Sequence, residues 1–309
     1  MIWNQPQQNC NEDIAFGHNS SASEIEGSYH GLGITISHDP MTRKERDNVM
    51  GIFYEEQVLT WKLLGNEMMN DIENAKGSID FLDVGTGSGF WAILMMKQLN
   101  SRGKPGRVVG IDKVNRAIQF SERNMLDNEV LLDLKQEEYN IDTIPSNSVR
   151  VIFMNPPYHI YPSAIEDLIP HHARGGGWGY EEFINWLSIA NYHLSENGSI
   201  FFHHMSLGND EPEFMRFIPK FIAGNPSIKY YDILPSIDSF TFLKEVYREK
   251  CASFIYEVAE EFPRLHFTSG AIVRDGLGRR EKVEVATEHL QGKSWQDRIL
   301  LHRSIAEVF

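Results

Sequence analysis

Four consecutive residues, Asn155-Pro156-Pro157-Tyr158, close the apolar run Val151-Ile-Phe-Met154 and form a group suited to handling a nitrogen nucleophile. An amide or aromatic amino nitrogen is nearly planar with its lone pair delocalised, so it attacks poorly until its surroundings reshape it. If Asn155 Oδ1 and the Pro156 carbonyl each accept one N–H, the nitrogen is drawn toward a tetrahedral shape with its lone pair aimed at an electrophile. Catalysis is then largely positioning. Proline fixes φ, and the residue before a proline is pushed toward extended backbone, so two prolines in a row hold both acceptors in place. Tyr158 adds a ring that can pack against a planar group. Taken without context, Asn-Pro-Pro is a common turn closing a strand, with the tyrosine as local packing. The weight therefore falls on what precedes it.

Upstream lies Asp83-Val-Gly85-Thr-Gly87-Ser-Gly89, between the strand-like Ser78–Val84 and a helical pattern near Trp91 to Leu99. Glycines there permit a tight bend and close backbone approach to a ligand. A dinucleotide loop needs a further glycine at position 90, where the chain has Phe90, so that pattern fails. Asp112 closes the next strand, where an acid accepts hydrogen bonds from ribose hydroxyls and disfavours a 2′-phosphate.

Loop, acid and Asn-Pro-Pro-Tyr, in this order and at these intervals, resemble the class I S-adenosylmethionine-dependent methyltransferases of the branch that alkylates nitrogen. The resemblance implies a Rossmann-like α/β fold, a seven-stranded, mostly parallel sheet with helices on both faces and the seventh strand inserted antiparallel. It implies S-adenosylmethionine as cofactor, held by Asp83, Gly85, Gly87, Gly89, Asp112 and Asn155. The loop would lie against the methionine part, with the helix N-terminus favouring its carboxylate and Asp83 meeting its ammonium. Glu137 falls where the family often has an acid near the adenine amino group, although adjacent Glu138 leaves the register open. Asn155, Pro156 and Tyr158 would hold the target nitrogen.

A second segment, Gly175-Gly-Gly-Trp-Gly179-Tyr-Glu-Glu-Phe183, is similar to the Gly-Gly-x-x-Gly segment of the HemK/PrmC release-factor glutamine methyltransferases, matching at Gly175, Gly176 and Gly179, with Tyr180 where that family commonly has leucine. The chain departs from that family in three places. His159 intervenes before Ile160, the N-terminal region lacks the multi-helix pattern of a release-factor-binding domain, and about 75 residues follow Leu234. The acceptor does not transfer with the chemistry.

Further pocket candidates are His159, Tyr180 and Ser206, with His159 or a histidine of the strand Ser199–Met205 able to take a proton after transfer. The pairs His171-His172 and His203-His204 look like metal ligands, but neighbours on a strand point to opposite faces, so no metal site is expected. Arg274, Arg279, Arg280 and Lys282 make one basic cluster that reads as a solvated hairpin turn around Asp275–Gly278.

The elements that must position these residues alternate as a doubly wound sheet requires. Strands are expected at Ser78–Val84, Arg107–Ile111, Glu129–Leu134, Val149–Met154, Ser199–Met205, Ile228–Leu234 and His266–Val273. Helices are expected near Trp91–Leu99, Asn115–Leu126, Tyr180–Leu194, Glu211–Ala223 and Ser239–Glu261, after one or two lead-in helices within Lys44–Met69. Residues 1 to about 40 read as an irregular arm. The expected division is an arm with lead-in helices over 1–70 and a methyltransferase domain over 71–309, with a helical insertion near 236–262.

At 309 residues and 41% hydrophobic, the chain can build a large core. Its formal charge of −14 gives no broad positive field for a phosphate backbone. Two cysteines supply neither a disulfide framework nor a zinc pattern, and no leader or membrane span is legible, so a cytoplasmic protein is expected. The resulting expectation is an N-methyltransferase acting on an amide or amino nitrogen of a protein, peptide or small molecule, with a homodimer compatible with its apolar helix faces. Three alternatives remain: an RNA or DNA base N-methyltransferase, an enzyme that cyclises S-adenosylmethionine itself and releases methylthioadenosine, and a non-catalytic cofactor-binding module.

Overall fold

The computed structural model describes residues 26–40, 43, 45–104, 106–248, 250–274, 276–285 and 295–306. Cys10, Asp275 and most of the expected arm lie outside them. The first elements are not irregular: β1 (Gly27–Gly31) and β2 (Ile34–His38) form an antiparallel hairpin. Its two-residue turn, Leu32-Gly33, has φ of 51° and 76°, the positive pair that a tight hairpin turn of matching twist requires. Ile34 and Ile36 point inward, while two asparagines one helical turn apart anchor the backbone. Asn128 Oδ1 accepts from Thr35 N at 2.9 Å and Asn124 Oδ1 from Ser37 N at 2.8 Å.

A π-helical turn, Tyr54–Val58, leads into α1 (Leu59–Asn74). There follow β3 (Ile79–Val84), α2 (Phe90–Ser101), β4 (Val108–Asp112), α3 (Asn115–Asp127), β5 (Asp133–Gln136) and β6 (Val149–Met154). After the Asn-Pro-Pro-Tyr segment come α4 (Glu181–His193), β7 (Leu194–Gly208), α5 (Ile218–Phe221), β8 (Ser227–Asp238), α6 (Ser239–Tyr247), α7 (Ala252–Glu261) and β9 (Arg264–Val273). The last described elements are β10 (Arg280–Glu284) and α8 (Trp295–Ala306).

The main sheet has eight strands rather than seven, in the order β10-β8-β9-β7-β6-β3-β4-β5. β9 runs antiparallel to both β7 and β8, and the additional strand, β10, pairs parallel to β8 at the edge. The central strands β3 and β6 are buried on both faces, as their continuous apolar runs demand.

Two expected helices and one expected strand come out differently. The span Glu211–Ala223 yields only a 3-10 turn, Glu213–Arg216, and the four-residue α5. Pro219 has no N–H to give the carbonyl of Met215, so a helix cannot run through it. The pattern from Ser239 to Glu261 breaks into α6 and α7, where Arg248 and Cys251 take φ of 57° and 56°. β5 starts at Asp133, four residues later than expected, because Glu129 at φ 54° turns the chain out of α3.

Candidate active site

One cavity of about 410 Å³ opens at the C-terminal ends of β3, β4 and β6, within the size range of small-molecule sites. Strand ends bring Asp83, Asp112 and Asn155 to its wall, and the turn between β3 and α2 adds Gly85 and Gly87. That turn is held from both sides. Asp83 Oδ2 accepts from Thr86 Oγ1 at 2.7 Å and from Ala92 N, in the first turn of α2, at 3.2 Å. Asp112 accepts from Gly87 N at 3.0 Å through Oδ2 and from Val114 N at 2.9 Å through Oδ1. Burial, partly offset by these hydrogen bonds, pushes the Asp83 carboxyl up to about 7, and burial likewise raises Asp112.

Gly85 and Gly87 have φ of 69° and 56°, and a Cβ on Gly85 would stand 2.6 Å from the Trp186 ring, so the loop can lie against α4 only as glycine. Gly89 has a different place. It starts α2 at φ 85° and does not line the cavity. Glu137 and Glu138 both reach the wall, with Ile111 and Val114 as apolar neighbours. Glu137 also pairs with Lys135 at 3.4 Å.

Asn155 Oδ1 is buried at the cavity wall and receives no hydrogen bond among the described residues. Tyr158 is less free than a stacking platform would be. Its hydroxyl donates to Glu56 Oε1 at 2.7 Å, and its ring is packed by His203, His204, Phe267 and His302 at centroid distances of 5.9–6.4 Å. Glu56 also takes a hydrogen bond from Arg298 of α8, which reaches Glu55 at 3.4 Å. Burial and the Glu56 carboxylate hold the Tyr158 phenol well above its usual range.

The glycine segment is closely packed. A Cβ on Gly175 would sit 2.6 Å from the Tyr158 backbone, and one on Gly179 2.6 Å from Ile160 Cγ1. These glycines let the segment lie directly on the strand end carrying Asn155. Gly176, at φ 84°, leaves room for the Glu181 carboxylate, which accepts from Trp178 N at 3.0 Å and Tyr180 N at 3.2 Å. Burial pushes Glu181 up to about 7.

Two of the three expected pocket residues need correction. Ser206 is fully buried within β7, donating to the Leu207 carbonyl, and Tyr180 packs between Phe217 and Phe262; neither lines the cavity. His159 does line it, but it is bonded to His302 and Tyr247, and burial pushes it down to about 3. At that value it is a poor proton acceptor near neutrality. Of the paired histidines, His203 and His204 are enclosed by aromatic rings, and burial holds both well below the ordinary imidazole range. Arg274 does not serve as a phosphate contact here, since it donates to the carbonyls of Leu194 and Asn191.

Glu56, Trp186, Arg298 and His302 went unrecognised in the sequence. The usable signal was an acidic pair, Glu55-Glu56, on an otherwise apolar helical stripe, which asks for a buried cation.

Residues 75–170 match the family model for a methyltransferase domain. The matched stretch contains the glycine turn, Asp112, Glu137 and Asn155-Pro-Pro-Tyr158. Residues 75–170 thus carry a methyltransferase domain, and the protein is a transferase that uses S-adenosylmethionine. No curated protein matches it by sequence. Among solved structures, a Listeria monocytogenes protein described as a class I S-adenosylmethionine-dependent methyltransferase is 14% identical with a TM-score of 0.46, over 84% of this chain and 74% of that one. A Pyrococcus horikoshii protein described as a transferase is 13% identical with a TM-score of 0.43, over 82% and 74%. The geranyl diphosphate C-methyltransferase of Streptomyces coelicolor, solved with Mg2+, geranyl diphosphate and S-adenosylhomocysteine, is 14% identical with a TM-score of 0.37, over 69% and 77%. Likenesses at this level assign no acceptor. No described helix is long and apolar enough to cross a membrane.

Proposed function

We infer that the protein transfers a methyl group to an amide or amino nitrogen of a small molecule, peptide or protein. The observation that carries this reading is the buried, unpaired Asn155 Oδ1. Leaving a buried acceptor unsatisfied costs about 1–3 kcal/mol, and a fold keeps such a group where a ligand's donor meets it. An acceptor nitrogen brings an N–H to that oxygen; an acceptor carbon does not.

The residues fit the cofactor, which supplies a methyl group on a sulfonium when bound. Asp112 keeps lone pairs for ribose hydroxyls beyond the two backbone N–H groups it serves, Asp83 faces the place of an ammonium, and Ile111 and Val114 offer apolar surface for adenine. Asn155, with the Pro156 carbonyl, orients the nitrogen.

The charge of the wall supports a small or peptide acceptor. Glu56, Glu137, Glu138, Glu166, Glu181 and Glu182 line the cavity against Lys113 and Arg174, a balance that repels a phosphate backbone. A pair of cysteines in 309 residues suits a reducing compartment, which supports a cytoplasmic setting.

Mass spectrometry of the protein incubated with S-adenosylmethionine, alone and then with a nucleic-acid-free cell extract, tests the reading. S-adenosylhomocysteine should form only with the extract. Methylthioadenosine formed from the cofactor alone, or an acceptor methylated on carbon or oxygen, would overturn it. Asn155→Ala should keep cofactor binding and lose turnover by about 100-fold or more.

A further inference from the structure

A short chain of hydrogen bonds runs from the backbone beyond the Asn-Pro-Pro-Tyr segment to the cavity. The Tyr247 hydroxyl donates to the Ile160 carbonyl. His159 Nε2 lies 3.2 Å from the same hydroxyl oxygen, and His159 Nδ1 contacts His302 Nδ1. The two imidazoles are inclined by only 21°, with centroids 4.7 Å apart. A centroid separation that large, with the two nitrogens in contact, places the rings edge to edge, the geometry of an in-plane N–H···N bond.

The donors fix the tautomers. Tyr247 has one hydroxyl proton, and the Ile160 carbonyl takes it, so His159 Nε2 must donate to the tyrosine oxygen. His159 Nδ1 then holds a lone pair and accepts from His302 Nδ1–H. His302 Nε2 is left with a lone pair. That atom is buried and has no partner among the described residues, and His302, 2% exposed, lines the cavity beside Tyr158 at a ring distance of 6.0 Å. Burial, His159 and Arg298 keep His302 well below the usual imidazole range, so it is neutral near pH 7.

We propose that His302 is an acceptor-recognising residue, its Nε2 lone pair receiving a hydrogen bond from the acceptor molecule while Asn155 holds the reacting nitrogen. The proposal rests on the reading of the site as an N-methyltransferase and narrows its substrate class. The acceptor carries a hydrogen-bond donor beside its reacting nitrogen, as an amide or amino compound with a neighbouring N–H or O–H does. A buried acceptor atom discriminates strongly against analogues lacking the donor, because each such analogue leaves it unpaired. Tyr247 and His159 are positioning residues that set which His302 nitrogen bears the proton.

The test is nitrogen NMR of the full chain labelled with 15N-histidine and saturated with S-adenosylhomocysteine. A coupling across the His159–His302 bond identifies the pair without a variant, and His302→Gln confirms the assignment. His302 should show a protonated Nδ1 and an unprotonated Nε2. Lactamide, whose hydroxyl neighbours its amide, should move the Nε2 resonance upfield, and propionamide, with the same amide and no hydroxyl, should not. In Tyr247→Phe the two tautomers should mix. An Nε2–H tautomer in the wild type, an Nε2 resonance indifferent to lactamide, or equal responses to the two amides would each overturn the proposal. None of these readings depends on turnover, so failure of the methyl-transfer reading is detected separately, by the mass spectrometry above.

Discussion

The Tyr158 hydroxyl donates to Glu56 Oε1 at 2.7 Å, joining the residue that follows the two prolines to a carboxylate 102 positions earlier. The same carboxylate is bound by Arg298, so three segments distant in sequence meet at one buried charge pair.

Breaking that pair from different sides should have unequal costs. Tyr158→Phe removes one hydrogen bond to a charged group and should lower unfolding free energy by about 1.5–3 kcal/mol. Glu56→Ala strips Arg298 of its nearer partner and should cost about 3–5 kcal/mol, because a buried guanidinium is left poorly compensated. Urea unfolding of the two single variants and the double variant checks both values, and a non-additive double variant is expected from contact between the sites.

Gly175→Ala places a Cβ 2.6 Å from the Tyr158 backbone. Overpacking of this kind costs about 1–3 kcal/mol, and here it should displace the strand end bearing Asn155. Turnover should fall well beyond the change in S-adenosylhomocysteine affinity, which depends on the β3 and β4 side of the cavity. Calorimetric binding beside initial rates separates the two effects.

Asp112 holds the loop through Gly87 N and, under the proposed reading, would also meet the cofactor's ribose. Asp112→Ala should raise the dissociation constant for S-adenosylhomocysteine by about 10- to 100-fold, the range expected when hydrogen bonds to a charged group are lost. Isothermal titration reads this directly.

Cofactor affinity should depend on pH through Asp83, whose carboxyl burial pushes up to about 7. Below 7 the free protein holds Asp83 mostly protonated, and an ammonium beside it favours the ionised form. Binding should therefore release a proton at pH 6 and tighten as pH rises toward 7, by at most about tenfold per unit, then level off. Titration at pH 6 in two buffers of different ionisation enthalpy should show the released proton in the wild type and none in Asp83→Asn.

The wall of the cavity formed by Asp83, Gly85, Gly87, Asp112 and Asn155 was legible in the sequence because its parts are local. A strand, a glycine turn and a helix follow one another within β3 and α2, and Asp112 and Asn155 each end a strand that the apolar pattern reveals. The physical rule involved, that a parallel sheet gathers its strand ends at one edge, converts sequence order into proximity.

The rest of the site was decided by tertiary structure. Glu56 precedes the sheet and Arg298 and His302 follow it, and no local motif announces that they meet at Tyr158. Residue type suggested His159 as a proton acceptor, but its strength as a base depends on burial and neighbours, which only packing supplies. Edge strand β10 escaped for the same reason, since five residues gain strand structure by pairing with β8 rather than by an apolar pattern of their own. The sequence by itself determined the strand–helix alternation, the glycine turn between β3 and α2 and the place of Asn155-Pro-Pro-Tyr158 after β6, since short-range spacing dictates these. Only the tertiary structure decided what surrounds Tyr158 and His159, because that environment is built from contacts between segments more than a hundred residues apart.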